Sequence, residues 1–321
     1  MSGAGGRRGR TLPSVSSPEP SPAIVCVGGV VADRMVRLEA SPVPGTSNPG
    51  SVVSSPGGVA RNIAENLARL GHRPALVSVI GDDTVGTSLV TGVRAVGVDA
   101  RGVRTVPGDV TAEYLAILDP QGELVLGVAV MAVLDALTAA DVDAAWPAGG
   151  WVVLDCNPPP EVLAHTLDRA RGAQGTRLVV VAVSAPKVVR LPADLTGVDL
   201  LVCTRDEAEA WLAATGRPRP AGGDGALTAA LLAAGARTVV MTLGAGGAVA
   251  ADAGGVVEVP GEPVTVVDVT GGGDALVAGT VSALTRGESL VDAVRRGTRL
   301  ASLTVAVQGA VRPDLASASA G

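Results

Sequence analysis

Leu178-Val179-Val180-Val181-Ala182-Val183 is apolar at every position, without the alternation of a half-exposed strand and too short for a helix. A Val-rich run of this kind reads as a strand buried on both faces, as in a parallel sheet with helices on either side. Similar runs recur at Ala23–Val27, Ala75–Ile80, Trp151–Leu154, Leu200–Cys203 and Thr238–Thr242. Between them, apolar residues at helical spacing predict helices over Val59–Leu70, Pro160–Arg171, Asp206–Thr215 and Leu227–Ala234. The expectation is an α/β fold with a doubly wound sheet. Two segments break the rhythm and predict a small β excursion: Arg34–Ser55, and Thr111–Val130 with a turn at Asp119-Pro120-Gln121-Gly122. A further hairpin is expected over Ala248–Val259.

Composition narrows the function classes. The 321 residues suit one large domain or two ordinary ones, and the net charge of -6 argues against a nucleic-acid surface. Three Trp, one Tyr and no Phe leave neither stacking platforms for single-stranded nucleic acid nor the aromatic girdles of a membrane protein. Cys26, Cys156 and Cys203 lack the paired spacing of a disulfide framework or zinc site and read as buried thiols. Met1–Pro22, rich in Ser, Pro, Gly and Arg, has no apolar signal-peptide core and reads as a disordered tail. The expectation is a soluble cytoplasmic protein with no membrane partner.

Two glycine-rich stretches carry the chemistry. Gly57-Gly58 precedes a helix whose Val59, Ile63, Leu67 and Leu70 form an apolar stripe, with Asn62 and Asn66 off it. Bare glycine backbone at a helix N-terminus lets another molecule approach closely, although an ordinary turn uses the same residues. Asp268-Val269-Thr270-Gly271-Gly272-Gly273-Asp274 follows a Val-rich run read as a strand and opens a second helix. Its three glycines form a nest for developing phosphate charge, and Asp274 is placed to take a proton from a hydroxyl there. A carboxylate in a first helical turn also complements the helix dipole. A third loop, Thr242-Leu243-Gly244-Ala245-Gly246-Gly247, suits nucleotide phosphates weakly. Lys187 is the single lysine, so phosphoryl transfer here relies on backbone nests, Arg and Mg²⁺ rather than a P-loop lysine.

The stretches Gly57–Leu70 and Asp268–Asp274 resemble the two signatures of the ribokinase-like, or PfkB, carbohydrate kinases. The order Gly28-Gly29…Asp33, Gly81-Asp82-Asp83…Gly86, Thr204-Arg205-Asp206-Glu207 and Thr242-Leu243-Gly244 agrees with it. Ser47-Asn48-Pro49-Gly50, the string Gly58–Ala68 and Asp155-Cys156-Asn157 resemble the pseudouridine-kinase branch. The resemblance implies a three-layer α/β/α core over residues 23–315 with a small β-sheet lid from about 34–56 and 110–131, followed by a C-terminal tail, 316–321. It implies phosphorylation of the primary (5′) hydroxyl of a ribosyl substrate, pseudouridine first. The sugar would be held by Asp33, Gly57, Gly58 and Asn62, and ATP by Thr242, Gly244, Gly247 and Thr270. Asp274 would be the base, with Gly271, Gly272 and Gly273 stabilising the transferring phosphoryl group. Glu207 would organise Mg²⁺ through water, and Asp268 would lie by a monovalent cation such as K⁺. A homodimer through the lid is also implied.

The chain departs from that branch at several positions. Val31 and Ala129-Val130 stand where Asn and an Asn-Asp pair are expected, Val181 where Asp is expected, and Thr204 where Asn is expected. A site that loses hydrogen-bonding partners loses selectivity. Two alternatives stay open: ribose, adenosine or another sugar as substrate, and a degenerate member that binds without turnover. Of the remaining polar residues, His72 reads as a helix-terminal cap and His165, Lys187, Arg61, Arg69, Arg295, Arg296 and Arg299 as solvated.

Overall fold

The computed structural model describes residues 23–318; the tail expected at residues 1–22 and residues 319–321 lie outside it. The strands are β1 (Ile24–Val27), β2 (Val31–Leu38), β3 (Gly50–Gly57), β4 (Ala75–Gly81), β5 (Asp99–Val106), β6 (Glu113–Leu118) and β7 (Leu124–Val130), then β8 (Gly150–Asp155), β9 (Thr176–Val181), β10 (Leu200–Thr204), β11 (Val239–Thr242), β12 (Ala248–Asp252) and β13 (Gly255–Val259). The helices are α1 (Val59–Arg69), α2 (Thr84–Ala95), α3 (Ala139–Ala145), α4 (Pro160–Gly172), α5 (Ala185–Val188), α6 (Arg205–Ala214), α7 (Gly223–Ala233), α8 (Gly272–Leu284), α9 (Leu290–Val305) and α10 (Leu315–Ala318).

Nine strands form one sheet in the order β13-β12-β11-β10-β9-β8-β1-β4-β5, parallel from β11 to β5. The double-sided burial expected of β9 is present. Val180 packs into the core on one side of the sheet, and Val179 and Val181 into the core on the other. The expected late hairpin forms β12 and β13 and extends this sheet antiparallel. The three cysteines are free and buried.

The two irregular segments make a second, smaller sheet, β3-β2-β6-β7, the β excursion expected of them. Its register sorts the side chains into rows on opposite faces. Ser55, Asp33, Tyr114 and Ala129 form one row, while Val52, Val36, Ile117 and Leu126 form a row on the other face.

Three expectations are corrected. The Val-rich run before Asp268 is not a strand; the backbone N–H groups of Val267 and Asp268 instead donate to the Val305 carbonyl at the end of α9. Asn62 and Asn66, read as lying off the buried stripe of α1, are both buried because α8 packs across that face. Residues 316–318, assigned to a C-terminal tail, belong to α10, whose Leu315 is fully buried.

Strand order reverses between β1 and β8, and in open α/β sheets the crevice beyond such a switch point binds ligands. The switch is held by one buried carboxylate at the end of β8. Asp155 Oδ2 accepts from the backbone N–H of Gly29 and of Ala60, each at 2.9 Å, and Oδ1 accepts from Asn157 N–H at 2.8 Å. The loop after β1 and the first turn of α1 are thereby pinned to β8. Burial drives the Asp155 carboxyl above its ordinary pKa, and the three N–H donors oppose that rise. Asp155→Ala is expected to cost about 2–4 kcal/mol, since buried donors lose their partner, read as a lower urea midpoint. An unchanged midpoint would remove Asp155 as the pin.

Candidate active site

The site is built where α1 and α8 begin side by side. Gly58 caps α1 at φ 95°, and a β-carbon there would overlap the Gly29 carbonyl, so the tight junction with the β1 loop requires glycine. One turn on, Asn62 Nδ2 donates to Asp274 Oδ2 at 2.7 Å. Gly271 is the N-cap of α8, in the left-handed region at φ 75° and pressed against the Ala310 carbonyl. Gly272, Gly273 and Asp274 form the first helical turn, where backbone N–H groups have no intrahelical acceptor.

Asp274 is buried, and desolvation pushes its pKa up to about 7. The Asn62 hydrogen bond and the Arg61 charge pull it down, while Asp155 and Asp33 push it up. Asp33 on β2 is raised to about 6 by burial, opposed by Arg61. Gly57 lies directly against Asp33, leaving no room for a side chain between them. Asp33, Gly57, Gly58, Asn62 and Asp274 thus form one cluster.

A cavity of about 450 Å³ is lined in part by Gly272 and Gly273. Thr242, Gly244 and Gly247 line one wall; Val264, Val266, Val269, Leu276 and Val305 line another. The exposed valines misread as a strand are therefore a cavity wall. The cavity sets an apolar wall against the bare backbone of a helix start, a setting for a ligand with one apolar and one anionic part.

Thr270, Asp268 and Glu207, also predicted for the site, are not among the residues lining this cavity. Asp268 Oδ1 accepts from Thr270 N–H at 2.9 Å and Oδ2 from Gly309 N–H at 3.0 Å. Burial raises the Asp268 carboxyl, but these bonds win and hold it below its ordinary pKa. Glu207 begins α6, and Thr204 ahead of it pairs in register with Thr242. Glu207 Oε2 accepts from Thr204 N–H at 2.7 Å, and Thr204 Oγ1 accepts from Glu207 N–H at 3.3 Å, a reciprocal cap. Burial raises the Glu207 pKa against those bonds. Among the described residues, no three His, Cys, Asp or Glu side chains cluster as a metal cage.

Sequence reasoning missed the burial of Arg61 and the place of Tyr114 here, and named Asp155 only within the resemblance. Arg61, read as solvated, is 3% exposed and bonded to Asn62 and Glu65. Its signal was the i, i+4 pairing of Arg61–Glu65–Arg69 along α1. Asp155 was legible as a carboxylate ending an apolar strand. Tyr114, the single tyrosine, sits beside Asp33 in the lid row, which only strand register reveals. Outside the site, His72 bonds Ser282 Oγ at 2.8 Å, His165 pairs with Asp143 at 3.0 Å, and Lys187 is half-buried rather than free in solvent.

The pfkB family carbohydrate kinase model matches residues 21–316. Pseudouridine kinase of Escherichia coli (strain K12) is 34% identical over 280 residues, covering 85% of this chain and 87% of that protein. Guanosine-inosine kinase of Exiguobacterium acetylicum is 27% identical over 296 residues, covering 88% and 94% respectively. The structure of Arabidopsis thaliana ribokinase complexed with ribose and ATP superposes with a TM-score of 0.77 at 21% identity, covering 93% of this chain and 99% of that one, which shows the fold. Among the described residues, no helix is long and apolar enough to cross a membrane. The chain belongs to the pfkB family of carbohydrate kinases and is a sugar or nucleoside kinase.

Proposed function

We propose that this kinase transfers the γ-phosphoryl group of ATP to the primary (5′) hydroxyl of a ribosyl substrate, with pseudouridine the first candidate. The observation that carries the chemistry is Asp274: a buried carboxylate bonded to Asn62, in the helical turn whose Gly272 and Gly273 line the nucleotide-sized cavity. The observation favouring pseudouridine is the 34% identity to the Escherichia coli enzyme across most of both chains.

In this mechanism Asp33, Gly57, Gly58 and Asn62 hold the sugar with its hydroxyl against Asp274. When bound, Mg·ATP supplies the phosphoryl group and the cation that offsets its charge. Asp274 accepts the hydroxyl proton as the oxygen attacks, and Gly271 to Gly273 stabilise the charge on the transferring group. The apolar valines hold the base, while Thr242, Gly244, Gly247 and Thr270 border the phosphates. Glu207 would hold Mg²⁺ through water, and Asp268 would hold a monovalent cation such as K⁺, each supplying positive charge against the phosphates. The row Val52-Val36-Ile117-Leu126, exposed at its two ends, gives the small sheet an apolar outer face suited to pairing with a second copy.

One observation favours another sugar. Ala129 shares the row of Asp33 and Tyr114, so the lid offers a methyl group where a nucleobase would meet a polar side chain. ADP release measured across pseudouridine, ribose, adenosine and other nucleosides decides the matter. A kcat/KM for pseudouridine at least tenfold above ribose is expected; equal values would overturn the nucleoside assignment. Asp274→Asn is expected to lower turnover about 10²–10⁴-fold, the usual worth of a general base, and retention of more than a tenth would exclude Asp274 as base. Because the base must be ionised and its pKa is raised to about 7, kcat/KM should fall as pH drops through that value. A flat profile down to about pH 5, near the ordinary carboxylate range, would contradict this.

A further inference from the structure

We propose that Arg61 is a positioning residue for phosphoryl transfer: it fixes the orientation of the Asn62 carboxamide so that its amino group faces Asp274 and keeps that carboxylate ready to accept a proton. The proposal rests on Asp274 being the base.

Arg61 Nε donates to Asn62 Oδ1 at 3.1 Å, and a terminal guanidinium nitrogen donates to the same oxygen. A guanidinium has donors and no acceptor, so the carboxamide atom it meets is the oxygen. The nitrogen is then the atom 2.7 Å from Asp274 Oδ2. Released from Arg61, the amide can turn over about its last torsion and set oxygen against carboxylate, two acceptors facing each other.

The clamp is anchored from behind. Arg61 donates to Glu65 Oε2 at 2.7 Å and to the Pro56 carbonyl at 3.2 Å, and Glu65 Oε1 also receives Arg69. This network reaches from the solvent side of α1 to the turn that opens α8. It also supplies charge. The groups facing Asp274 are Asp155 from the end of β8, Asp33 from β2 and Arg61 from α1, and of these only Arg61 favours the ionised carboxylate.

The test is the pH dependence of kcat/KM for the wild type, Arg61→Met and Arg61→Lys, with Asp274→Asn alongside. In Arg61→Met the acid limb should move up by about one pH unit, so that the rate on that limb falls about tenfold while rates above it converge with the wild type. Arg61→Lys, which keeps the charge but cannot set a rigid fork on one oxygen, should move the limb less. The KM for ATP should hold within about twofold, and the shape of a profile does not depend on the fraction folded. An equal loss at every pH with an unmoved limb would mean that Arg61 only supports the fold and would overturn the proposal. Should Arg61→Met yield no folded protein, an unmoved limb in Arg61→Lys is the overturning result. Turnover retained in Asp274→Asn would sink the base assignment, a failure distinct from that of Arg61.

Discussion

One hydrogen bond spans 212 positions of sequence: Asn62 at the start of α1 donates to Asp274 at the start of α8. Both helices begin with glycine, and both begin at the same place, so two backbone N-termini and one carboxylate converge on a single point. Each end of the bond is fixed independently. Asp155 pins the first turn of α1 to β8, and the left-handed Gly271 fits α8 against Ala310. Moving either helix start would separate Asp274, the proposed base, from the groups proposed to hold the sugar.

Burial is what gives this point its chemistry. Carboxylates at Asp33, Asp155 and Asp274 lie within electrostatic reach of one another in a region largely cut off from water, and all three are raised above their ordinary range by desolvation. They are held apart in behaviour by their partners. Asp155 receives three backbone N–H groups and acts on structure; Asp274 receives one side-chain amide, leaving it capacity to bind a proton. Tuning a carboxylate toward neutrality is how an acid side chain becomes a useful base near pH 7.

Much of the fold was legible because each core strand is apolar on both faces, a pattern few other environments produce. Val179, Val180 and Val181 announced two covered faces, and the lid segments announced themselves by lacking helical period. The errors have physical causes. Val264, Val266 and Val269 have strand propensity, but the backbone of this stretch bonds to the end of α9 and these side chains line a cavity, which propensity does not encode. Asp99–Val106 went unread as a strand because β5 lies at the sheet edge and carries polar residues. Within the site, the glycines and Asp274 were visible because their spacing has a mechanical reason. Arg61 was not, because its burial follows from α8 packing over α1, a contact between segments far apart in sequence.

We propose that Asp274 and the glycine turn before it face the reacting atoms. A structure of the protein with a non-hydrolysable ATP analogue and its best substrate tests this directly. It should place the acceptor hydroxyl within about 3 Å of Asp274, the reach of a general base, with the terminal phosphate against the Gly272 and Gly273 N–H groups. An acceptor hydroxyl held against another carboxylate, with Asp274 out of its reach, would contradict it.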